Sequence, residues 1–124
     1  MKLKTSDLTG AALDWAVLEA MKPGLEHQER AGITTFGPLF GRGYKYPRWG
    51  GRKYSPSTNW SLGGPLIERE GIEVIPDGIG AWDSAIRGGD EDTTAHGPTP
   101  LIAAMRCYVA SRLGDEVDIP EELL

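Results

Sequence analysis

Residues 97–117 read GPTPLIAAMRCYVASRLGDEV, and this run decides the fold. Thr99 has the hydroxyl of an N-cap, Pro100 suits a first helical position that needs no amide hydrogen, and Gly114 supplies the stop. The spacing predicts a helix over 100–113. Leu101, Met105, Tyr108, Val109 and Leu113 recur on one stripe, Ile102 broadens it, and Arg106 and Arg112 lie off it. A second helix is expected near the start of the chain, where LTGAALDWAVLEAMKPG occupies 8–24. Thr9 is its candidate N-cap, Leu13, Val17 and Met21 share a stripe with Ala16 and Ala20, and Pro23–Gly24 are its expected end, giving about 9–22. Trp15 and Leu18 point elsewhere, so this helix should touch more than one layer. Only Asp14 and Glu19 interrupt its apolar surface.

Between these helices the periods are shorter. GIEVIP at 71–76 alternates as a strand does, Pro76 and Gly78 turn the chain, and AWDSAIR at 81–87 can return antiparallel to it. PLIERE at 65–70 reads as a short helical turn after Gly63 and Gly64, and GGDEDTTAHG at 88–97 as a polar loop. A strand near 33–36 and a ragged hairpin around 42–54 complete the reading. With 17 glycines and 9 prolines in 124 residues, turns and loops should fill the middle of the chain. The sum is one α+β domain over residues 1–124: two main helices packed on a small, mainly antiparallel sheet, with a long loop-rich middle.

Charge is segregated along this chain. RGYKYPRWGGRKYSPSTNW at 42–60 holds Arg42, Lys45, Arg48, Arg52 and Lys53 among five aromatic residues and no acid, while the whole carries a net charge of -5. The remainder therefore bears about -10, and a division of sign this strong makes a field that attracts a compact anion. Aromatic faces beside guanidinium groups suit a planar, phosphorylated molecule. The acidic remainder repels a long polyanion, which disfavours duplex nucleic acid and leaves only a short or single-stranded target. Cys107 is the sole cysteine, excluding an intrachain disulfide and a multi-cysteine zinc site. No run approaches the roughly 20 apolar residues that cross a bilayer, and the first fifteen residues lack the apolar core of a signal peptide. A cytoplasmic protein with no membrane partner is expected.

LTGAALDWAV at 8–17, SPSTNWSLGGPLIEREGI at 55–72, Trp82 and the run at 97–117 together resemble the NinX-like family of small bacteriophage and prophage proteins. The resemblance covers both ends and the centre, with 25–54 and 87–96 as the variable parts. It implies a phage accessory protein acting in the cytoplasm of a bacterial host, and brings with it no catalytic residue.

Chemistry in the shared motifs is that of binding. Ser57, Thr58 and Asn59 present short polar groups beside the indole of Trp60, and the amides opening the helix after Thr99 form a natural place for a phosphate or carboxylate. Arg52 adds a cation and Trp82 a second aromatic platform. Arg52, Ser57, Thr58, Asn59, Trp60, Trp82 and Thr99 are the candidate ligand-binding residues. Each has a plain structural alternative: a side-chain-capped turn, an N-cap, an indole in the core. No catalytic constellation accompanies them. His27 and His96 belong to no metal-ligand spacing, Cys107 lies in an apolar helix, and the glycine runs lack a nucleotide-loop context. A non-enzymatic binder without cofactor or metal is expected, sequestering a small anionic or nucleotide-derived immune signal. The alternative is a protein-interaction factor that uses the basic aromatic loop against a host defence protein. A domain this small encloses a nucleotide poorly, so a homo-oligomer with a shared pocket is also expected.

Overall fold

A computed structural model describes residues 1–30, 47–49 and 52–124, and the side chains among them except those of 22–30, 48, 49, 52 and 122. Its centre is the helix α3, Pro100–Leu113, with the boundaries that Thr99, Pro100 and Gly114 dictate. The Thr99 hydroxyl accepts from the Ile102 amide at 3.1 Å. Leu101, Ala103, Ala104, Met105, Cys107, Tyr108 and Val109 are all buried. They point in nearly every direction around the axis, so α3 is enclosed rather than laid on a surface. Leu113, at the end of the expected stripe, is exposed.

The helix α1 spans Gly10–Arg30 and packs on α3 through a core that includes Leu13, Ala16, Val17 and Leu18. It runs eight residues beyond the expected end at 22. Pro23 removes one backbone donor and Gly24 lowers helix propensity, but neither prevents the following turns from making their own hydrogen bonds. A third helix, α2, covers Trp60–Glu70 where only a short turn at 65–70 was expected. Asn59 caps it, its side chain accepting from the Ser61 amide at 2.9 Å, and Gly71 closes it in the left-handed conformation at φ 62°. Glu70 on α2 reaches Arg112 on α3 at 2.7 Å, fastening the ends of the two helices together.

On another side of α3 lies a three-stranded antiparallel sheet in the order β4 (Glu73–Pro76), β5 (Trp82–Ile86), β6 (Thr93–Gly97). The β4–β5 pair is the expected hairpin, with Val74 opposite Ser84 and Pro76 opposite Trp82. The polar loop expected at 88–97 is corrected from Thr93 onward. TTAHG is a strand whose Thr93, Ala95 and Gly97 are more buried than Thr94 and His96. Those inner residues are small because α3 lies very close. A Cβ on Gly97 would sit 2.7 Å from the Ala103 nitrogen, and the Ser84 hydroxyl donates to the Ala103 carbonyl at 2.6 Å. Two short ribbons accompany this sheet. In one, β1 (Lys2–Lys4) pairs with β7 (Glu116–Asp118), joining sequence ends that gave no strand signal. In the other, β2 (Arg48–Trp49) pairs with β3 (Arg52–Lys53), within the expected hairpin at 42–54. The strand expected at 33–36 lies outside the described residues. The molecule is an α+β fold of three helices and small antiparallel sheets among the described residues.

Candidate functional site

The segment before α2 is folded by its own carbonyls. Ser55 accepts from the amides of Thr58 at 3.2 Å and Asn59 at 2.9 Å, which turns the chain back and buries Pro56 and Ser57. Asp14 holds the turn from beneath. This carboxylate is 3% exposed on α1 and accepts from the Ser57 amide at 2.9 Å. Burial raises its pKa to about 6, opposed by the Ser57 hydroxyl and amide and by the charge of Lys53. The Ser57 hydroxyl is itself buried and makes no hydrogen bond of good geometry. Its pull on Asp14 is therefore a matter of proximity and leaves bonding capacity unused.

Gly63 brings the turn against α3. A Cβ there would collide with the Pro56 carbonyl oxygen and lie 2.6 Å from Leu101 Cδ2. Because that atom is missing, the turn, α2 and the first turn of α3 meet. Between them lies a cleft of about 230 Å³, with Ser57, Thr58 and Trp60 on one wall and Thr99 to Ile102 on the other. Four of the seven candidate residues, separated by some forty positions in the chain, thus line one cavity. Trp60 is 56% exposed, which corrects the alternative of an indole anchored in the core.

The other three candidates lie elsewhere. Asn59 faces away from the cleft into a larger groove of about 600 Å³ that it shares with Lys53, Tyr54 and Arg69. Trp82 is half-buried on β5, opposite Pro76 and Gly97, and is not part of the cleft lining. Arg52 is placed by its backbone in β3, and its side chain lies outside the described residues. Sequence reasoning passed over Asp14 as part of the site. Its signal was present as an acid interrupting an otherwise apolar helix.

Among the described residues the cleft lining carries no ionisable side chain. Its accessible donors are the Thr58 and Thr99 hydroxyls, with the Leu101 amide at the helix start, while the Ser57 hydroxyl is buried behind the wall. Pro100 has no amide hydrogen, Ile102 gives its own to Thr99, and Leu101, in the first turn, has no acceptor within the helix. The positive end of the α3 dipole adds to these. Arg106, off the apolar stripe of α3, is committed to structure: its Nε donates to the Leu8 carbonyl and its Nη1 to the His96 carbonyl, each at 2.9 Å. Among the described residues no group of three or more His, Cys, Asp or Glu is placed to hold a metal ion, and no helix is long and apolar enough to cross a membrane.

No curated protein searched matches this chain. A family model does. The model described as Bacteriophage P22, NinX matches residues 4–112, a span that takes in α1, the capped turn, α2, the three-stranded sheet and nearly all of α3, and the chain belongs to that NinX family of phage proteins.

Proposed function

We propose that this phage protein is a non-catalytic binder of a small, planar, phosphorylated molecule, held at the cleft between the 55–58 turn and the N-terminus of α3. The convergence of Ser57, Thr58, Trp60 and Thr99 on that cleft supports the reading. A phosphate fits the donor set of two hydroxyls, one amide and a helix dipole, and needs no cation in direct contact. The exposed Trp60 is the group that would receive a base or similar ring by stacking.

At about 230 Å³, the cleft is smaller than the roughly 300–1,000 Å³ of sites that enclose a whole ligand. It grips one end of the molecule, and the rest lies over Trp60 or against a second subunit. Such a protein acts by sequestration. In a phage, a nucleotide-derived signal of a bacterial defence system is the target this chemistry fits, making the protein a counter-defence factor in the host cytoplasm. The competing reading, protein interaction through the basic aromatic loop, rests chiefly on residues outside the described ones.

Purified protein is heated with a panel of linear and cyclic nucleotides. At least one should raise the melting temperature in a saturable way, by mass action on the native state. Trp60→Ala and Thr58→Val should abolish that shift while leaving the unliganded melting temperature nearly unchanged, because both side chains are exposed. No shift from any nucleotide at millimolar concentration rejects the proposal.

A further inference from the structure

Asp77, Asp83 and His96 are separated in the chain, and the three-stranded sheet brings them together at the tip of the β4–β5 hairpin. Asp83 and His96 stand opposite one another on β5 and β6, and the ring Nδ1 lies 2.8 Å from Asp83 Oδ1. A carboxylate only accepts, so Nδ1 carries the hydrogen and the lone pair of the neutral ring sits on Nε2. Nε2 faces Asp77 Oδ2 at 3.7 Å. Asp77 is fixed by its own turn: Oδ1 accepts from the amides of Ile79 at 2.8 Å and Ala81 at 3.0 Å, in a bend that Gly78 and Gly80 permit at φ 87° and 97°. Its side chain is 8% exposed, and Oδ2 is buried with no hydrogen-bond partner. The Ile79 amide above all holds this carboxyl below its ordinary range, so the oxygen is anionic at neutral pH. A lone pair and an anionic oxygen thus point at each other, a repulsive arrangement that a cation relieves.

We propose that His96 Nε2 and Asp77 Oδ2 are the two protein ligands of a zinc site, since zinc accepts imidazole and carboxylate donors together. An ion at the ~2.0–2.2 Å of zinc bonds reaches both donors across 3.7 Å at a bent angle. A proton on Nε2 does not, because in this geometry it leaves the oxygen beyond hydrogen-bond length. Asp83 supplies the outer contact that metal-bound histidines ordinarily have, fixing the tautomer and the tilt of the ring. The backbone is held as well: the His96 carbonyl accepts from Arg106 at 2.9 Å, and the Asp77 amide donates to the Ala81 carbonyl at 3.0 Å. Glu73 and Asp92, acids of the same sheet region, are engaged by Arg87 at 2.9 and 2.7 Å and leave these donors to the ion. The imidazole ring is 57% exposed and borders a groove of about 580 Å³, so water completes the shell. Two protein donors make an open site of modest affinity, of a different kind from the clusters of three or more that are absent among the described residues. Magnesium and calcium, which favour all-oxygen shells, suit it poorly. Neither ligand belongs to the cleft lining, and the site does not rest on the function proposed for that cleft.

The full chain, stripped of metal with EDTA, is titrated with zinc chloride at neutral pH by calorimetry, and the histidine ring nitrogens are followed by NMR. One ion per chain is expected, with a Kd of about 1–100 µM, undisturbed by excess magnesium. Zinc should shift the His96 Nε2 resonance and leave the hydrogen on Nδ1. Asp77→Asn keeps an oxygen for the Ile79 and Ala81 amides and turns an amide group toward Nε2, so it should weaken binding at least about tenfold. His96→Ala should abolish it. His27→Ala and Trp60→Ala should leave it unchanged, which separates the site from the other histidine and from the cleft. Failure to saturate below about 1 mM zinc, equal affinity for magnesium, loss of binding on His27→Ala, or indifference to Asp77→Asn overturns the inference. Should Asp77→Asn fail to fold, His96→Ala and the ring resonances of the unaltered protein still decide it.

Discussion

Replacing Asp14 by Asn should stabilise the protein at neutral pH, and the gain should vanish in acid. Unfolded, this carboxyl loses its proton near 3.8; folded, it holds the proton up to about 6. Between those values the folded state binds more protons than the unfolded, so raising the pH through this window removes stability, and above it the cost is constant. At ~1.4 kcal/mol per pH unit, the full gap is worth about 3 kcal/mol, a large share of the roughly 5–15 kcal/mol that holds a domain together. Asn keeps an oxygen for the Ser57 amide, carries no charge to desolvate, and can donate its amide hydrogens toward the unpaired Ser57 hydroxyl. The assay is equilibrium urea unfolding of both proteins at half-unit intervals from about pH 4 to pH 7. Other groups also titrate: Asp77, held down first by the Ile79 amide, and Asp118, held down by the amino terminus, each make stability fall as the pH is lowered. They occur in both proteins and cancel in the difference. The stability of Asp14→Asn minus that of the unaltered protein should grow by about 2–3 kcal/mol across this range. A difference that stays flat refutes the claim that Asp14 is buried and ionised beneath the turn.

Two further outcomes follow from the packing. Gly63→Ala should cost about 1–3 kcal/mol in chemical denaturation, because its methyl meets the Pro56 carbonyl and Leu101 and forces overpacking; Gly64→Ala, whose Cβ lies 4.0 Å from the Trp60 ring, should be neutral or stabilise by up to about 1 kcal/mol through helix propensity. Arg106→Met should lower stability by about 2–3 kcal/mol, since the Leu8 and His96 carbonyls lose a charged donor that the thioether cannot replace. Thermal melting read against the unaltered protein checks the order of the three variants.

Where the sequence was informative, the reason was local. Thr99, Pro100 and Gly114 act on their own backbone, so α3 could be bounded to the residue. The alternation in GIEVIP and AWDSAIR likewise marks two strands joined by a turn. Misreadings arose where a distant neighbour sets the residue type. Gly63, Gly64 and Pro65 look like helix breakers, yet Gly63 is demanded by Pro56 and Leu101 in α2, and the Asn59 cap starts the helix five residues before the expected turn. TTAHG looks like a loop because its inward positions must be small to admit α3, which leaves no hydrophobic alternation to detect. Pairing of β1 with β7 joins residues more than a hundred apart and has no local signature. The cleft was partly legible for the same reasons: polar groups beside an indole and a proline-capped helix start are local signals. Sequence alone did not show that they face each other, nor that Asn59 and Trp82 belong to different surroundings.

Gly97 and Gly63 press on α3 from different elements, one from the sheet and one from α2. In each case the spacing is set by an absent Cβ, a dimension that cannot be shortened by substitution and can be lengthened only at the expense of packing. The opening turn of α3 therefore behaves as a fixed jaw. Thr58, Trp60 and Ile102 stand on the rim of the cleft without being fully buried, and they can be exchanged without moving that jaw. On the function proposed for the cleft, changing its ligand is thus a problem of three rim positions on a constant frame, open to a small saturation library rather than to redesign of the core.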